Sequence, residues 1–158
     1  MQPRTDGVVT LRAPREGDAA LLIAGRDAEF HRFMGEGSPE PRPRAVIEVG
    51  AEVIGWVDYD RDEIRSWLAP DECNVGYHVF APHRGRGLAS RAVRLLLDLV
   101  AEEGRFRFAT FLIDADNEAS LRVARAVGAV ERRVFPDAVP EPGGGPSRPQ
   151  VLLAVELV

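Results

Sequence analysis

The stretch Asn74-Val-Gly-Tyr-His-Val-Phe-Ala-Pro-His-Arg-Gly-Arg-Gly-Leu-Ala-Ser90 joins a strand, a glycine-rich turn and the start of a helix. Cys73 to Phe80 (CNVGYHVF) reads as the strand, and Pro82 interrupts it. From Arg86 to Glu103 the apolar residues Leu88, Ala92, Leu95, Leu96, Leu99 and Val100 recur at helical spacing, and Gly104 supplies a C-terminal stop. The first N–H groups of a helix have no intrahelical acceptor and carry partial positive charge, so such a start suits an anion. Gly85 and Gly87 allow the backbone to approach an anion closely, and the small Ala89 leaves the helix start uncrowded. Arg84 and Arg86 add charge.

Three phosphate-binding turns compete for this stretch. A P-loop needs Gly-Lys-Ser/Thr, and all 20 basic residues here are arginine. A dinucleotide fingerprint would use Gly85, Gly87 and then Ser90 in place of its third glycine, and it belongs near the start of a doubly wound fold. Here three strands precede it. The third pattern, Arg/Gln-x-x-Gly-x-Gly/Ala, is met by Arg84, Gly87 and Ala89. It gains weight from the strand before it, the long helix after it, and a second segment, Asn117-Glu-Ala-Ser-Leu-Arg-Val-Ala-Arg-Ala-Val-Gly128.

Outward from this centre the elements alternate. Val8 to Arg12 is a strand, and Pro14 ends it. Asp18 is the expected N-cap of a helix, and the stretch to Met34 holds one broken or two short helices. Gly35 to Pro43 is a loop, and Arg44–Val49 with Glu52–Asp60 forms a hairpin about Gly50-Ala51. Phe106 to Ile113 is apolar enough for a strand buried on both faces. Asn117 to Val127 is a helix, Ala129 to Phe135 a strand and Gln150 to Val158 the last strand. The segment 136–149 carries five prolines and three glycines and is an irregular loop. The order β, α, β-β-β, α, β, α, β-β predicts an α/β mixed sheet in a single domain over 1–158. The two strands flanking the long helix must run parallel, with a right-handed crossover.

Composition sets outer bounds. At 158 residues with 45% apolar content, the chain buries a core without disulfide or metal staples. No stretch approaches a membrane span, and MQPRTDGVVT lacks the apolar region of a secretory signal. The lone Cys73 fits a reducing compartment, so a cytoplasmic location is expected, with no membrane partner. A net charge of −5 argues against nucleic acid. The charge is segregated: Ala81 to Leu97 has four arginines and no acid, while Glu52 to Glu72 has seven acids against Arg61 and Arg65. One segment suits a polyanion and the other a cation. His31, His78 and His83 show no metal-ligand spacing with Cys73, so no metal is expected.

The two segments together resemble the GNAT N-acetyltransferase superfamily, in particular its ribosomal-protein N-terminal acetyltransferase-like branch. Gly76-Tyr77, Arg84 to Ala89, Asn117, Ser120 and Gly128 carry the likeness, which covers Val53 to Phe135 and reaches the first fifty residues only through element order. It implies a GNAT-type fold with central splayed parallel strands and acetyl-CoA as co-substrate. It implies that Arg84, Gly85, Arg86, Gly87, Leu88, Ala89 and Ser90 hold the pyrophosphate. The backbone at Val79 and Phe80 pairs with the pantetheine, and Asn117 binds the pantetheine arm. Ser120 gives a proton to the leaving thiolate. Family members often carry a glutamate where this chain has Asn74 and a tyrosine where it has Ala124. Glu72, two residues before Asn74 and on the same face by strand alternation, is therefore the expected base.

Each of these residues also has a plainer reading. Asn117 is a good N-cap, Ser120 a small residue where a helix crosses a sheet, and Trp56 and Trp67 ordinary packing residues. Two function classes follow. The first is an acetyl-CoA-dependent N-acetyltransferase acting on a small-molecule amine or a peptide N-terminus, by direct attack in a ternary complex. The second is a catalytically silent acyl-CoA-binding module, motivated by Asn74 and Ala124. The terminal strand Val151–Val158 is the candidate contact for a homodimer.

Overall fold

The hairpin predicted over Arg44–Asp60 forms as β3 (Ala45–Val49) and β4 (Glu52–Tyr59), paired antiparallel across a turn in which Gly50 has φ +62°. Its register shifts between Ile47 and Glu48, a bulge. These positions come from a computed structural model that describes residues 1–60, 65–137 and 148–158. The loop expected at 136–149 therefore falls mostly outside the described residues, as do Arg61, Asp62 and Glu63 of the acidic segment.

The described residues form two compact units, Met1–Tyr59 with Gly76–Leu96, and Asp60–Val75 with Leu97–Val158. The chain passes from one to the other within β5 (Glu72–Val79) and within α3 (Leu88–Glu103).

In the first unit the strand order is β1-β2-β3-β4-β5, where β1 is Arg4–Thr5 and β2 is Thr10–Arg12. Two strands thus stand where one was expected, joined through Asp6, whose Oδ1 accepts from the Val8 and Val9 amides. The N-terminal helical stretch is two helices, α1 (Asp18–Ala24) and α2 (Ala28–Met34), broken at Gly25. The core is Val9, Leu11, Leu22, Val46, Ile47, Ile54, Val57, Val93 and Leu96, all essentially inaccessible. β4 and β5 approach closely at Gly55: a Cβ there would stand 2.0 Å from the His78 carbonyl oxygen.

Asp18 is not the N-cap of α1. Gly17 takes that position with φ +89°, and Asp18 is the buried first helical residue. Its carboxylate accepts from Arg12 Nη1 at 2.6 Å, Arg12 Nη2 at 3.2 Å and the Arg15 amide at 2.7 Å. Arg12 also donates Nε to Glu48 at 2.5 Å. The carboxylate is drawn off its own helix end because a buried guanidinium needs its charge more than the helix needs a cap. Arg12 holds the Asp18 pKa below the usual range, against the opposing cost of burial.

In the second unit the order is β5-β6-β8-β7, with β6 Phe108–Asp114, β7 Val130–Phe135 and β8 Gln150–Glu156. β5 and β6 pair in parallel at Glu72↔Phe108, Cys73↔Ala109 and Asn74↔Thr110, as the crossover through α3 requires. β6 and β8 pair antiparallel over the full length of β6. Phe111, Ala109 and Thr110 are buried, in line with the apolar run read from sequence. The helix α4 (Glu118–Ala126) packs Leu121 and Ala124 inward. Cys73 on β5 is buried, and burial pushes its thiol up to about 12, which keeps it from acting as a nucleophile. Among the described residues no helix is long and apolar enough to cross a membrane.

Candidate functional site

The turn after β5 begins with a single 3-10 turn at Ala81–His83, and α3 starts at Leu88, two residues later than its apolar pattern suggested. Gly85 and Gly87 both adopt left-handed backbone conformations, with φ +76° and +72°. That conformation costs an L side chain roughly 1–2 kcal/mol, which explains glycine at both positions. Nothing lies within 4 Å of where a Cβ on either would stand. The first α-helical bond is Arg91 N–H to the Gly87 oxygen. The six consecutive amides from Gly85 to Ser90 have no acceptor among the described residues. A helix start with six unspent donors beside open space is a fit for a diphosphate.

The two arginines of the turn differ. Arg86 is exposed and has no partner among the described residues. Arg84 is fully engaged. Its Nε donates to the Val79 oxygen at 2.9 Å. Nη1 donates to Asp27 Oδ2 at 2.7 Å and Glu29 Oε2 at 2.6 Å. Nη2 donates to Asp27 Oδ1 at 3.1 Å and to His78 Nε2 at 3.1 Å. Asp27 also caps α2 by accepting from the Phe30 amide at 3.0 Å. Arg84 brings the Asp27 carboxyl down to about 2. The expectation that Arg84 lends its charge to the phosphate meets a side chain already bound to carboxylates.

His78 is only 6% exposed, among the rings of Phe30, Phe80 and Trp56 at 4.8, 5.7 and 6.5 Å. Arginine only donates, so His78 Nε2 accepts and the ring proton sits on Nδ1. Nδ1 is buried and has no hydrogen-bond partner among the described residues. Burial first, then the Arg84 charge, push the His78 pKa down to about 4, so the ring is neutral. His83 faces Glu52, with Nε2 3.3 Å from its carboxylate.

At the end of β5, Phe80 spends its N–H on the Ile54 oxygen at 2.8 Å, and its oxygen accepts from the His83 amide at 2.9 Å. The Val79 oxygen accepts from Arg84. Added-strand pairing at these two residues would have to use what these bonds leave.

In the second unit, Asn117 is the N-cap of α4, its Oδ1 accepting from the Ser120 amide at 3.2 Å. Both residues are half-buried. Glu72 is the first residue of β5, whereas Val79 is the last. Its Oε1 accepts from Arg132 and its Oε2 from the Ala69 amide at 3.1 Å. Glu72 is buried, while Arg132 is partly exposed. Both oxygens of Glu72, the residue expected as the base, therefore accept hydrogen bonds in the folded chain. Sequence offered Glu72 only through strand alternation. Arg132, 60 residues on, gave no local sign. Among the described residues no group of histidine, cysteine, aspartate and glutamate is arranged to hold a metal.

A family model described as acetyltransferase (GNAT) domain matches residues 9–130. The chain belongs to the GNAT acetyltransferase family. No curated protein matches it by sequence. Among solved structures it is similar in fold to RimL, the ribosomal L7/L12 alpha-N-protein acetyltransferase in complex with coenzyme A, at TM-score 0.80 and 18% identity, covering 99% of this chain and 98% of that one. Mycobacterium smegmatis RimJ in complex with CoA-disulfide gives 0.74 and 22%, covering 95% and 82%. The microcin C7 self-immunity acetyltransferase MccE, in complex with acetyl-CoA and AMP, gives 0.75 and 19%, covering 96% and 93%. The match takes in β2 to the start of β7, so it includes the turn, Asn117 and Ser120 of this GNAT chain.

Proposed function

We propose that this GNAT protein is an acetyl-CoA-dependent N-acetyltransferase acting on a primary amine. The observation that carries this is the run of six unpartnered amides, Gly85 to Ser90, opening α3 behind two left-handed glycines. The family match supports acetyl transfer, and the three similar structures were solved with CoA, a CoA disulfide or acetyl-CoA. In this reading the amides of Gly85, Arg86, Gly87, Leu88, Ala89 and Ser90 take the pyrophosphate. The backbone near Val79 and Phe80 lines the pantetheine, and the Asn117 amide group, whose oxygen caps α4, binds the arm through its NH₂.

Bound acetyl-CoA supplies an activated acyl group. The chain's own residues place it and manage protons. A free alkyl amine is mostly protonated near neutral pH and must lose that proton before its lone pair can attack. Glu72 is tied to Arg132 and Ala69, so that proton passes to water rather than to Glu72. As the nitrogen–carbon bond forms and the carbon–sulfur bond breaks, the Ser120 hydroxyl gives its proton to the thiolate and regains one through water from the attacking nitrogen, which becomes the neutral amide. Direct attack in a ternary complex needs both substrates bound together. The acceptor is a peptide N-terminus or a small amine, a choice suggested by RimL's name and by the acidic Glu52–Glu72 segment.

The test is isothermal titration with acetyl-CoA, followed by a thiol-release assay across an amine and N-terminal peptide panel. Saturable binding with acceptor-dependent release of CoA thiol is expected. Binding without release for any acceptor would favour the silent acyl-CoA module, and no binding would sink both readings.

A further inference from the structure

We infer that Arg84 is a positioning residue that ties the glycine turn and the end of β5 to the start of α2, and that Arg86 alone supplies side-chain charge to the phosphate. The inference rests on the acetyl-CoA reading above. A guanidinium has five N–H donors. In Arg84 all five have acceptors: the Val79 oxygen, both Asp27 oxygens, Glu29 and His78. The Asp27 contact is bidentate and charge-assisted, the strongest geometry available to an arginine. To reach a phosphate, Arg84 would have to abandon two carboxylates and leave them facing a polyanion. Arg86 gives up nothing, because it is exposed and has no partner among the described residues.

What Arg84 does touch is informative. Val79 ends β5, Arg84 itself stands one residue before Gly85, and Asp27 is both the N-cap of α2 and the receiver of the fork. The guanidinium therefore holds strand end, turn and helix start in one hydrogen-bonded piece. The same contact fixes the His78 tautomer by donating to Nε2. Ordering of the turn by a phosphate is thereby transmitted to Ala28–Met34 through Asp27 rather than through the phosphate itself.

The experiment compares wild type, Arg86→Ala, and Asp27→Asn/Arg84→Gln, which removes one positive and one negative charge together. CoA binding is titrated at low and high salt. Hydrogen exchange of α2 is followed with and without CoA, and ring ¹⁵N shifts report the His78 tautomer. Arg86→Ala is expected to weaken CoA about tenfold and to flatten the salt dependence. The double variant is expected to weaken CoA severalfold through the lost coupling to α2, with the salt dependence of wild type unchanged. It should lose the CoA-induced protection of α2 and show a mixed His78 tautomer. If the double variant instead flattens the salt response as Arg86→Ala does, Arg84 is a phosphate ligand and the inference is overturned. Failure of wild type to bind CoA overturns the acetyl-CoA reading itself, which is a different result. Should the double variant not fold, Asp27→Asn alone, which keeps an oxygen for the α2 cap, decides. Weaker CoA binding with unchanged salt dependence and lost α2 protection supports positioning, and tighter CoA binding, from a released Arg84, overturns it.

Discussion

Arg84 and Asp27 face each other as fork and carboxylate, with Nη1 2.7 Å from Oδ2 and Nη2 3.1 Å from Oδ1. The pair joins the residue before the glycine turn to the cap of a helix 57 positions earlier. It also pins the neutral His78 ring from one side. Three elements of the first unit thus depend on charges whose states change with pH.

The pH response follows from two groups with opposite charge types. His78 is held at about 4 in the folded chain, below its ordinary value of 6.5. Between those values the unfolded chain binds a proton that the folded chain refuses, so stability falls as pH drops from 6.5 toward 4. Asp27 is held at about 2 against 3.8, so its contribution is present above 3.8 and is lost as pH falls toward 2. Acid weakening should therefore begin below pH 6.5, well before the carboxylates titrate. Denaturant midpoints measured from pH 7 to 4 should fall in wild type and stay flatter in His78→Phe. Parallel curves for the two proteins would show that His78 is not the group responsible.

Glycine substitutions separate backbone strain from collision. At Gly87 the obstacle is φ +72° with empty space around it, so Gly87→Ala should cost about 1 kcal/mol. At Gly55 the obstacle is the His78 backbone, 2.0 Å from the new Cβ, which has no soft side chain to yield. Gly55→Ala should cost about 3 kcal/mol or leave the protein unfolded. Thermal unfolding of the two variants side by side checks the order. Gly87→Ala should in addition weaken CoA binding, because the amide cradle must re-form around a strained residue.

The turn and its long helix were legible in sequence because their signals are local: glycine at fixed offsets and apolar residues at helical spacing. The fold order followed from the same kind of evidence. Strand β1 was not legible, since two residues, Arg4–Thr5, carry no periodicity. Asp18 has the sequence signature of a cap, but its partner is Arg12, a tertiary contact that overrides the capping preference. The site's electrostatics were the least legible part. Arg84 finds its carboxylates 55 and 57 residues away, and Glu72 finds Arg132 60 residues away. Long-range pairing of charges leaves no pattern in a window of neighbouring residues.

The ion pair between buried Glu72 and exposed Arg132 gives a stability prediction with a functional control. Glu72→Gln removes the charge from a buried carboxylate and leaves Arg132 a neutral amide oxygen in its place. The expected cost is about 1–3 kcal/mol, limited because Arg132 keeps partial access to water. Turnover per folded molecule should stay within about twofold, with an unchanged pH profile. A fall of about a hundredfold in kcat with the acidic limb of the profile abolished would identify Glu72 as the base.

Ser120 offers the sharpest separation of binding from chemistry. It follows Asn117 by three residues in the first turn of α4, and its amide, not its hydroxyl, satisfies the Asn117 cap. Removing the hydroxyl therefore leaves the cap bond in place. Ser120→Ala should fold like wild type and bind CoA with the same affinity. If the hydroxyl protonates the leaving thiolate, kcat should fall by about 10²-fold. The loss should shrink for an acyl donor whose thiolate leaves without a proton, such as an aryl thioester, because a weakly basic leaving group gains less from an acid. Equal losses with both donors would assign Ser120 to packing. Asn117→Ala is the contrasting variant: it removes the cap at a cost of about 1 kcal/mol, and it weakens CoA binding if its amide group holds the pantetheine arm.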